Sequence, residues 1–320
     1  MMKRTMVVLF PLCLSVLLLS FIEKDVPVQK TLLKTLIIDP GHGGIDPGAH
    51  GLFSNEADVA LAVSMKFGKA LQKEFPDLKI IYTRTTDVMA GNKRTINEGL
   101  RYRADLANES GGDLFIAIHC NAAGKPGGWY DRVVTGKTPY THMVGKGKKK
   151  RKVTSYKYKY ANVWHENIVK GTETYVWAVS KNDAKVNSMN KTEYFGEIDS
   201  VSGPALELPD PSNPEEKARM LIYGLNYFRK SLNLADMVEK GFDTNGRVSR
   251  GVKQRNDKGI WVLQATGMPS ILVEIGFITN KSEEEYLNSD QGQDEIVDNL
   301  VSSFRAYKQK AESKSINTSN

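Results

Sequence analysis

The chain has 320 residues, of which 40% are apolar, 25% charged and 9% aromatic, with a mean hydropathy of −0.39. Those are globular values: they exclude wholesale disorder and a fibrous repeat, and leave room for at most a terminal membrane segment. The formal net charge is +7, but residues 125–170 alone hold 12 Lys or Arg against Asp131 and Glu166, a local +10 that leaves the remainder at −3. The basic character belongs to one segment, so a nucleic-acid-binding protein loses its main support.

Residues 1–4 are short and basic, and residues 6–22 form an uncharged apolar run containing Pro11. That is the shape of a secretory signal. The run is marginal for a spanning helix, and no A-x-A-like triplet precedes Glu23. Residues 1–29 are therefore expected to be a signal peptide or an uncleaved N-terminal membrane anchor plus a polar linker. The expected location is the periplasm or cell envelope. Leu12 before Cys13 speaks against lipidation. Cys120 then stands alone in the exported chain, no intramolecular disulfide is available, and stability must come from a packed core.

Thr35-Leu-Ile-Ile-Asp39 reads as a buried strand that runs into the turn Pro40-Gly-His-Gly-Gly44. Ser54 or Asn55 can N-cap a helix whose apolar positions Val59, Val63, Phe67, Ala70 and Leu71 follow helical spacing up to Pro76. Residues 79–83 form a second strand, about 95–109 a helix ended by Gly111-Gly112, and 113–120 a third strand. This alternation argues for an α/β sheet with parallel neighbours.

Residues 125–170 break the pattern. They are rich in Gly, Lys and Tyr and include the run Lys148-Lys-Lys-Arg-Lys152. Two readings stand: a solvated, partly disordered insertion, or a clamp for an anionic polymer or phospholipid headgroups, with Tyr156, Tyr158 and Tyr160 beside the charges. A strand over 172–179, a long helix over 214–240 and strands over 260–264 and 270–275 follow. Two last helices run from 282 to about 310, the first opening with the capping-box pattern Ser282-x-x-Glu285. Residues 311–320 form a polar tail. The expected architecture is an open, twisted, mostly parallel sheet of about six strands flanked by helices, with residues 30–310 as one domain carrying the basic insertion.

Candidate chemistry gathers where predicted strands end. His42 lies past the first strand, His119 closes the third, Glu274 closes the last, and Glu56 opens the helix after the His42 loop. In an open parallel sheet the carboxyl ends of the strands share one edge, where loops form a crevice. Two imidazoles and one carboxylate are the ligand set of a catalytic zinc with a position left for water, and a second carboxylate can take that water's proton. Glu274 is the most telling of the four, because it interrupts the apolar run Ile271-Leu-Val273 and Ile275, where an unpaired carboxylate costs several kcal/mol.

Asp39-Pro-Gly-His-Gly-Gly44, Asn55-Glu56, Ile118-His-Cys-Asn-Ala122 and Leu272-Val-Glu-Ile-Gly-Phe277 resemble, in order, the motifs of zinc-dependent N-acetylmuramoyl-L-alanine amidases. Thr83-Arg84 with Asp87, Arg103-x4-Asn108, Gly171-Thr-Glu-Thr-Tyr175 and Val252-Lys-Gln254 extend the resemblance, which spans about 33–307. It implies hydrolysis of the amide between the lactyl group of N-acetylmuramic acid and L-alanine in peptidoglycan, in wall remodelling, daughter-cell separation or recycling. It implies one Zn2+ per chain on His42, Glu56 and His119, with Glu274 as the catalytic glutamate. Asn121, Arg84 and Arg103 are candidates for touching substrate or for holding the ligands. A monomer is expected. Family relatives can carry an inhibitory helix over the metal; here Asp199, Glu207 or Asp210, within residues 197–216, is the expected counterpart, released by an activator protein.

Departures are informative too. Cys120 stands where the family often has a small residue, and strand alternation turns it away from the metal side, as a buried apolar residue. Gly41-His-Gly43-Gly44-Ile-Asp46 lacks the third glycine of a dinucleotide fingerprint. His165-Glu166 is no zincin motif, since Val169 stands at the second histidine position, and His50 and His142 read as surface residues. Competing functions are an exported zinc carboxypeptidase-like peptidase or amidase acting on another substrate, and a non-catalytic peptidoglycan-binding protein.

Overall fold

The computed structural model describes residues 33–177, 214–255 and 260–317. The N-terminal run expected to be a signal or anchor, and most of the expected inhibitory stretch, lie outside the described residues.

Among the described residues there are eight strands: β1 (Thr35–Pro40), β2 (Lys79–Tyr82), β3 (Leu114–Asn121), β4 (Gly128–Val144), β5 (Arg151–Glu166), β6 (Thr172–Val176), β7 (Ser249–Gln254) and β8 (Ser270–Phe277). The helices are α1 (Glu56–Glu74), α2 (Ile96–Glu109), α3 (Pro214–Thr244), α4 (Trp261–Ala265), α5 (Lys281–Leu287) and α6 (Asp290–Asn317). Six strands make one sheet in the order β2-β1-β3-β8-β6-β7, while β4 and β5 form a separate two-stranded ribbon.

Strands β1, β3 and β8 are apolar on both sides, and the two faces bury against different helices. Leu36, Ile38, Ile116, Ile118, Ile271, Val273 and Ile275 share one core with Val63 and Phe67 of α1, Val238 and Phe242 of α3 and Leu300 and Phe304 of α6. The other face places Ile37, Phe115, Ala117 and Leu272 against Ala107 of α2 and Val262 and Leu263 of α4. The sheet is thus covered on both sides, as the alternation of elements predicts.

One strand pairing departs from a fully parallel sheet. β2, β1, β3 and β8 run the same way, whereas β6 pairs antiparallel with β8, and β7 follows β6. The beginning of β6, not its end, therefore lies at the carboxyl edge of β8, and Glu173 is set directly opposite Glu274.

Three local expectations are corrected. Residues 260–264 do not form a strand: Trp261–Ala265 is a short helix, with Val262 and Leu263 buried. A five-residue apolar run carries no periodicity that separates the two states. The cap of α5 is Asn280, whose side chain accepts from the Ser282 and Glu283 amides, not Ser282 paired with Glu285. The basic insertion is ordered as the β4–β5 ribbon, with Gly128 paired to Glu166 at one end and Val144 to Arg151 at the other. Among the described residues no helix is long and apolar enough to cross a membrane.

Candidate active site

The His42 turn sits at the end of β1 because its backbone demands it. Gly43 and Gly44 have φ of 119° and 60°, and His42 itself is at 58°, a region in which non-glycine residues are uncommon. Gly41 is required by proximity: a Cβ there would collide with the imidazole of His119. Such a loop needs external support, which comes from two buried arginines. Arg84 donates to the carbonyls of Pro40 (3.0 Å), Gly41 (2.7 Å) and Ala57 (2.7 Å). Arg103 donates to the carbonyls of Pro40 (2.8 Å) and His42 (2.5 Å) and pairs with the buried carboxylate of Asp39, which Thr83 also reaches. Arg84 and Arg103 are 4% and 3% exposed. Their guanidinium groups are spent on main-chain oxygens of the loop.

A second scaffold fixes Glu56. Asn55 occupies the N-cap position of α1 without a capping hydrogen bond from its side chain. The loop before it is instead caught by the buried carboxylate of Glu284 on α5, which accepts from the amides of Leu52 (2.7 Å), Phe53 (2.8 Å) and Ser54 (2.8 Å). Glu56 Oε2 accepts from the Ala49 amide at 2.9 Å and Oε1 from the Cys120 amide at 3.0 Å.

From these supports three side chains converge. Glu56 Oε1 is 3.0 Å from His42 Nε2 and 2.8 Å from His119 Nδ1, and the two rings meet edge to face with centroids 4.9 Å apart. One ligand atom from each of His42, Glu56 and His119 lies within 4.8 Å of the other two, an arrangement that can hold a metal ion. Asp46 Oδ2 is 2.8 Å from His42 Nδ1, which turns Nε2 inward; metal-binding imidazoles are usually oriented by such an outer carboxylate. Burial disfavours a charged His42, but hydrogen bonds and charge from Glu56 and Asp46 outweigh it and hold the imidazole up to about 9. Glu56, although desolvated, is held well below the usual carboxylate range by the two histidines.

Glu274 faces the same cavity of about 450 Å³, which His42, Glu56, His119, Asn121 and Arg255 also line. Its Oε2 is buried and has no hydrogen-bond partner. Burial first, and the Glu56 charge second, push its carboxyl up to about 8. Glu173, opposite on β6, is the reverse case. Despite desolvation it is lowered to about 2 by Lys253, Tyr175 and Arg250. It accepts from Lys253 Nζ (2.5 Å), Arg250 Nε (2.6 Å), Tyr175 OH (2.6 Å) and Asn121 Nδ2 (2.8 Å). Two carboxylates side by side are thus pushed apart, one toward its neutral form and one locked as an anion.

The structure brings together His42, Glu56, His119 and Glu274, with Asn121 on the rim. Cys120 is 3% exposed and packs in the core on the α1 side, and burial pushes its thiol well up. His50 bonds Asn55 at 2.6 Å, His142 is half-buried and stacked on Tyr140 rather than lying free on the surface, and His165 stacks on Trp129. Asp46 and Glu173 are site residues that motif reading left without a role. An acid four positions after a candidate ligand, and a charge inside a strand that reads as buried, were the available signals.

Sheet and cluster together define an α/β chain with a two-histidine, one-carboxylate metal-ligand group at the carboxyl edge of its parallel strands. Residues 36–305 match the sequence profile of N-acetylmuramoyl-L-alanine amidases, and the chain belongs to that family. N-acetylmuramoyl-L-alanine amidase AmiC of Escherichia coli O6:H1 is 25% identical over 277 residues, covering 85% of this chain and 52% of the relative. The germination-specific N-acetylmuramoyl-L-alanine amidase of Bacillus subtilis is 39% identical over 95 residues, 28% of this chain and 39% of that protein. Against these two relatives the chain spans about half of the first's length and less of the second's. Among solved structures, the N-acetylmuramoyl-L-alanine amidase of Clostridium difficile 630 superposes with a TM-score of 0.50 at 23% identity, over 86% of this chain and 96% of that one. Both it and Cwp6 of Clostridium difficile (TM-score 0.51, 21% identity, 86% and 29% covered) share the fold.

Proposed function

We propose that this chain is a zinc-dependent N-acetylmuramoyl-L-alanine amidase that cleaves the bond between the lactyl group of N-acetylmuramic acid and L-alanine in peptidoglycan. The observation that carries the reading is the convergence of His42, Glu56, His119 and Glu274 on one cavity in a chain of this family. The donor set fits zinc, being two nitrogens and one oxygen, and Glu274, whose buried Oε2 has no hydrogen-bond partner, lines the same cavity. A zinc ion held there supplies Lewis acidity, acidifying water and polarising the substrate carbonyl.

The chain's own residues do the rest. Glu274, held by β8 in a desolvated position, acts as a carboxylate that takes the proton of the attacking water and hands it to the leaving nitrogen of L-alanine. Asp46 fixes the ring of His42, and Arg84 and Arg103 act as positioning residues through the loop carbonyls they bind. Asn121, tethered by Glu173, presents its amide at the rim for substrate. Export to the periplasm or cell envelope, a monomeric state and control by an activator belong to the same reading; the basic start and apolar run of residues 1–22 support the export.

Incubation of the zinc-loaded protein with muropeptides tests the proposal. Release of free stem peptide is expected, and Glu274→Ala is expected to keep its zinc while losing turnover. An intact muropeptide with fully loaded protein overturns the amidase reading. Binding of peptidoglycan without release, equal in wild type and Glu274→Ala, identifies a binding protein instead.

A further inference from the structure

The β4–β5 ribbon is unlike the rest of the molecule. Its strands have 17 and 16 residues, so it extends about 50 Å at the usual rise per residue. Among the described residues the two strands pair only with each other. Its base is anchored to the edge that carries the metal-ligand cluster: Asn167 donates from its amide to Gly127 O at 3.1 Å and from its side chain to Ala123 O at 2.6 Å, just past the end of β3.

Charge is distributed along it with a clear polarity. Its two acids, Asp131 and Glu166, lie near the base, whereas six of the seven residues 146–152 at the tip are basic. All six are exposed. Further down the shaft, two of the four cations are engaged by the ribbon's own rings, Arg132 4.0 Å from the Tyr160 centroid and Lys137 4.5 Å from that of Tyr156, while Lys157 and Lys159 are exposed. Beside the free cations stand Met143 and Val144, 59% and 41% exposed, paired in register with Lys152 and Arg151.

We propose that the ribbon tip docks on a bilayer surface rich in anionic phospholipid headgroups. Two features favour a membrane over a soluble anionic polymer. A polymer is held along a tract, but the unengaged charge is concentrated at the end of a finger, where a plane makes first contact. Exposed apolar side chains next to the charges gain nothing from a hydrated polyanion, whereas at a headgroup boundary they bury while the cations meet phosphates. Docking in this way ties the cavity at the ribbon's base to within about 50 Å of the bilayer.

Cosedimentation of the full chain with phosphatidylcholine vesicles, and with vesicles containing phosphatidylglycerol as well, tests the inference at low and high salt. The protein is expected to sediment more with the anionic vesicles than with phosphatidylcholine alone, whatever residues 1–29 contribute to both, and salt is expected to remove that excess. Each basic residue near such a surface contributes roughly five-fold in partitioning, so K148Q/K149Q/K150Q/R151Q/K152Q is expected to lower partitioning by about 30-fold if two of the five side chains reach the surface and by up to about 3,000-fold if all five do. M143S/V144S leaves the charge intact and is expected to lower it about 3- to 10-fold. Because residues 143, 144 and 148–152 are exposed and belong to neither core cluster, both variants should keep the wild-type circular dichroism spectrum and cleave soluble muropeptides normally. Failure to bind anionic vesicles, or undiminished binding by the neutralised variant, overturns the proposal. Undiminished binding by M143S/V144S, with complete competition by soluble polyphosphate, overturns it in favour of a general polyanion contact.

Discussion

The edge of the sheet and the tip of the ribbon are both crowded with charge, yet they treat it in opposite ways. At the sheet edge the buried carboxylates are matched: Asp39 with Arg103, Glu173 with Arg250 and Lys253, Glu56 between two imidazoles. At the tip six cations stand exposed. Matched, desolvated charge fixes atoms in space, because removing either partner leaves the other stranded in a medium of low dielectric. Unmatched charge in water fixes nothing, but it acts at a distance and is screened by salt. Among the described buried carboxylates that line this edge, the exception is Glu274, whose Oε2 has no hydrogen-bond partner.

That exception yields the largest predicted effect. Glu274→Gln is expected to reduce muropeptide turnover by at least about 10²- to 10⁴-fold, the range of a lost general base, with zinc content by mass spectrometry unchanged. Retained turnover breaks the contrast, since Glu274 would then be an ordinary buried residue.

Next come the matched charges. Arg103→Ala strips the support from the His42 carbonyl and leaves Asp39 buried without its partner. A loss of about 3–5 kcal/mol in denaturant unfolding is expected, with zinc affinity down about 10- to 100-fold. Arg103→Lys should restore charge but not the forked contacts, and so recover stability better than affinity.

The pH dependence of stability sharpens the comparison, because the adjacent carboxylates have opposite signs. Glu173 is depressed to about 2, so its contribution is present above the usual carboxylate pKa of about 4.3 and is lost as pH falls from there toward 2. Glu274 is raised to about 8, so its fold-stabilising neutral form is full below about 4.3 and lost as pH rises through 8. In metal-free protein, Glu274→Gln should therefore raise the thermal midpoint at pH 8–9 and leave it unchanged near pH 4. A midpoint that falls at alkaline pH contradicts the assignment. The smallest effect is expected at the ribbon: neutralising residues 148–152 should alter stability by no more than about 0.5 kcal/mol, since nothing there is matched.

The sequence made the ligand group visible because its members are misfits. A glutamate inside Ile271-Leu-Val-Glu-Ile275 and a histidine closing an apolar strand have no local reason to be there. Their meeting followed from the rule that parallel strands end at one edge. What stayed hidden depends on contacts remote in sequence. The reversal of β6 that sets Glu173 against Glu274, and the capture of the 52–54 amides by Glu284, leave no trace in any single segment. The short helix α4 hid in a run too brief to show a period. The ribbon was more legible than its composition suggested, for Tyr156-Lys-Tyr-Lys-Tyr160 alternates with the period of a strand. The abundance of glycine and lysine around it pointed the other way.

The central claim is that His42, Glu56 and His119 hold one metal ion beside Glu274. Anomalous diffraction at the zinc edge from crystals of the zinc-loaded protein tests it most directly. One peak is predicted, in contact with all three side chains and on the cavity side facing the Glu274 carboxylate. No peak at this position, or a peak elsewhere with these three side chains bound only to each other, would contradict it.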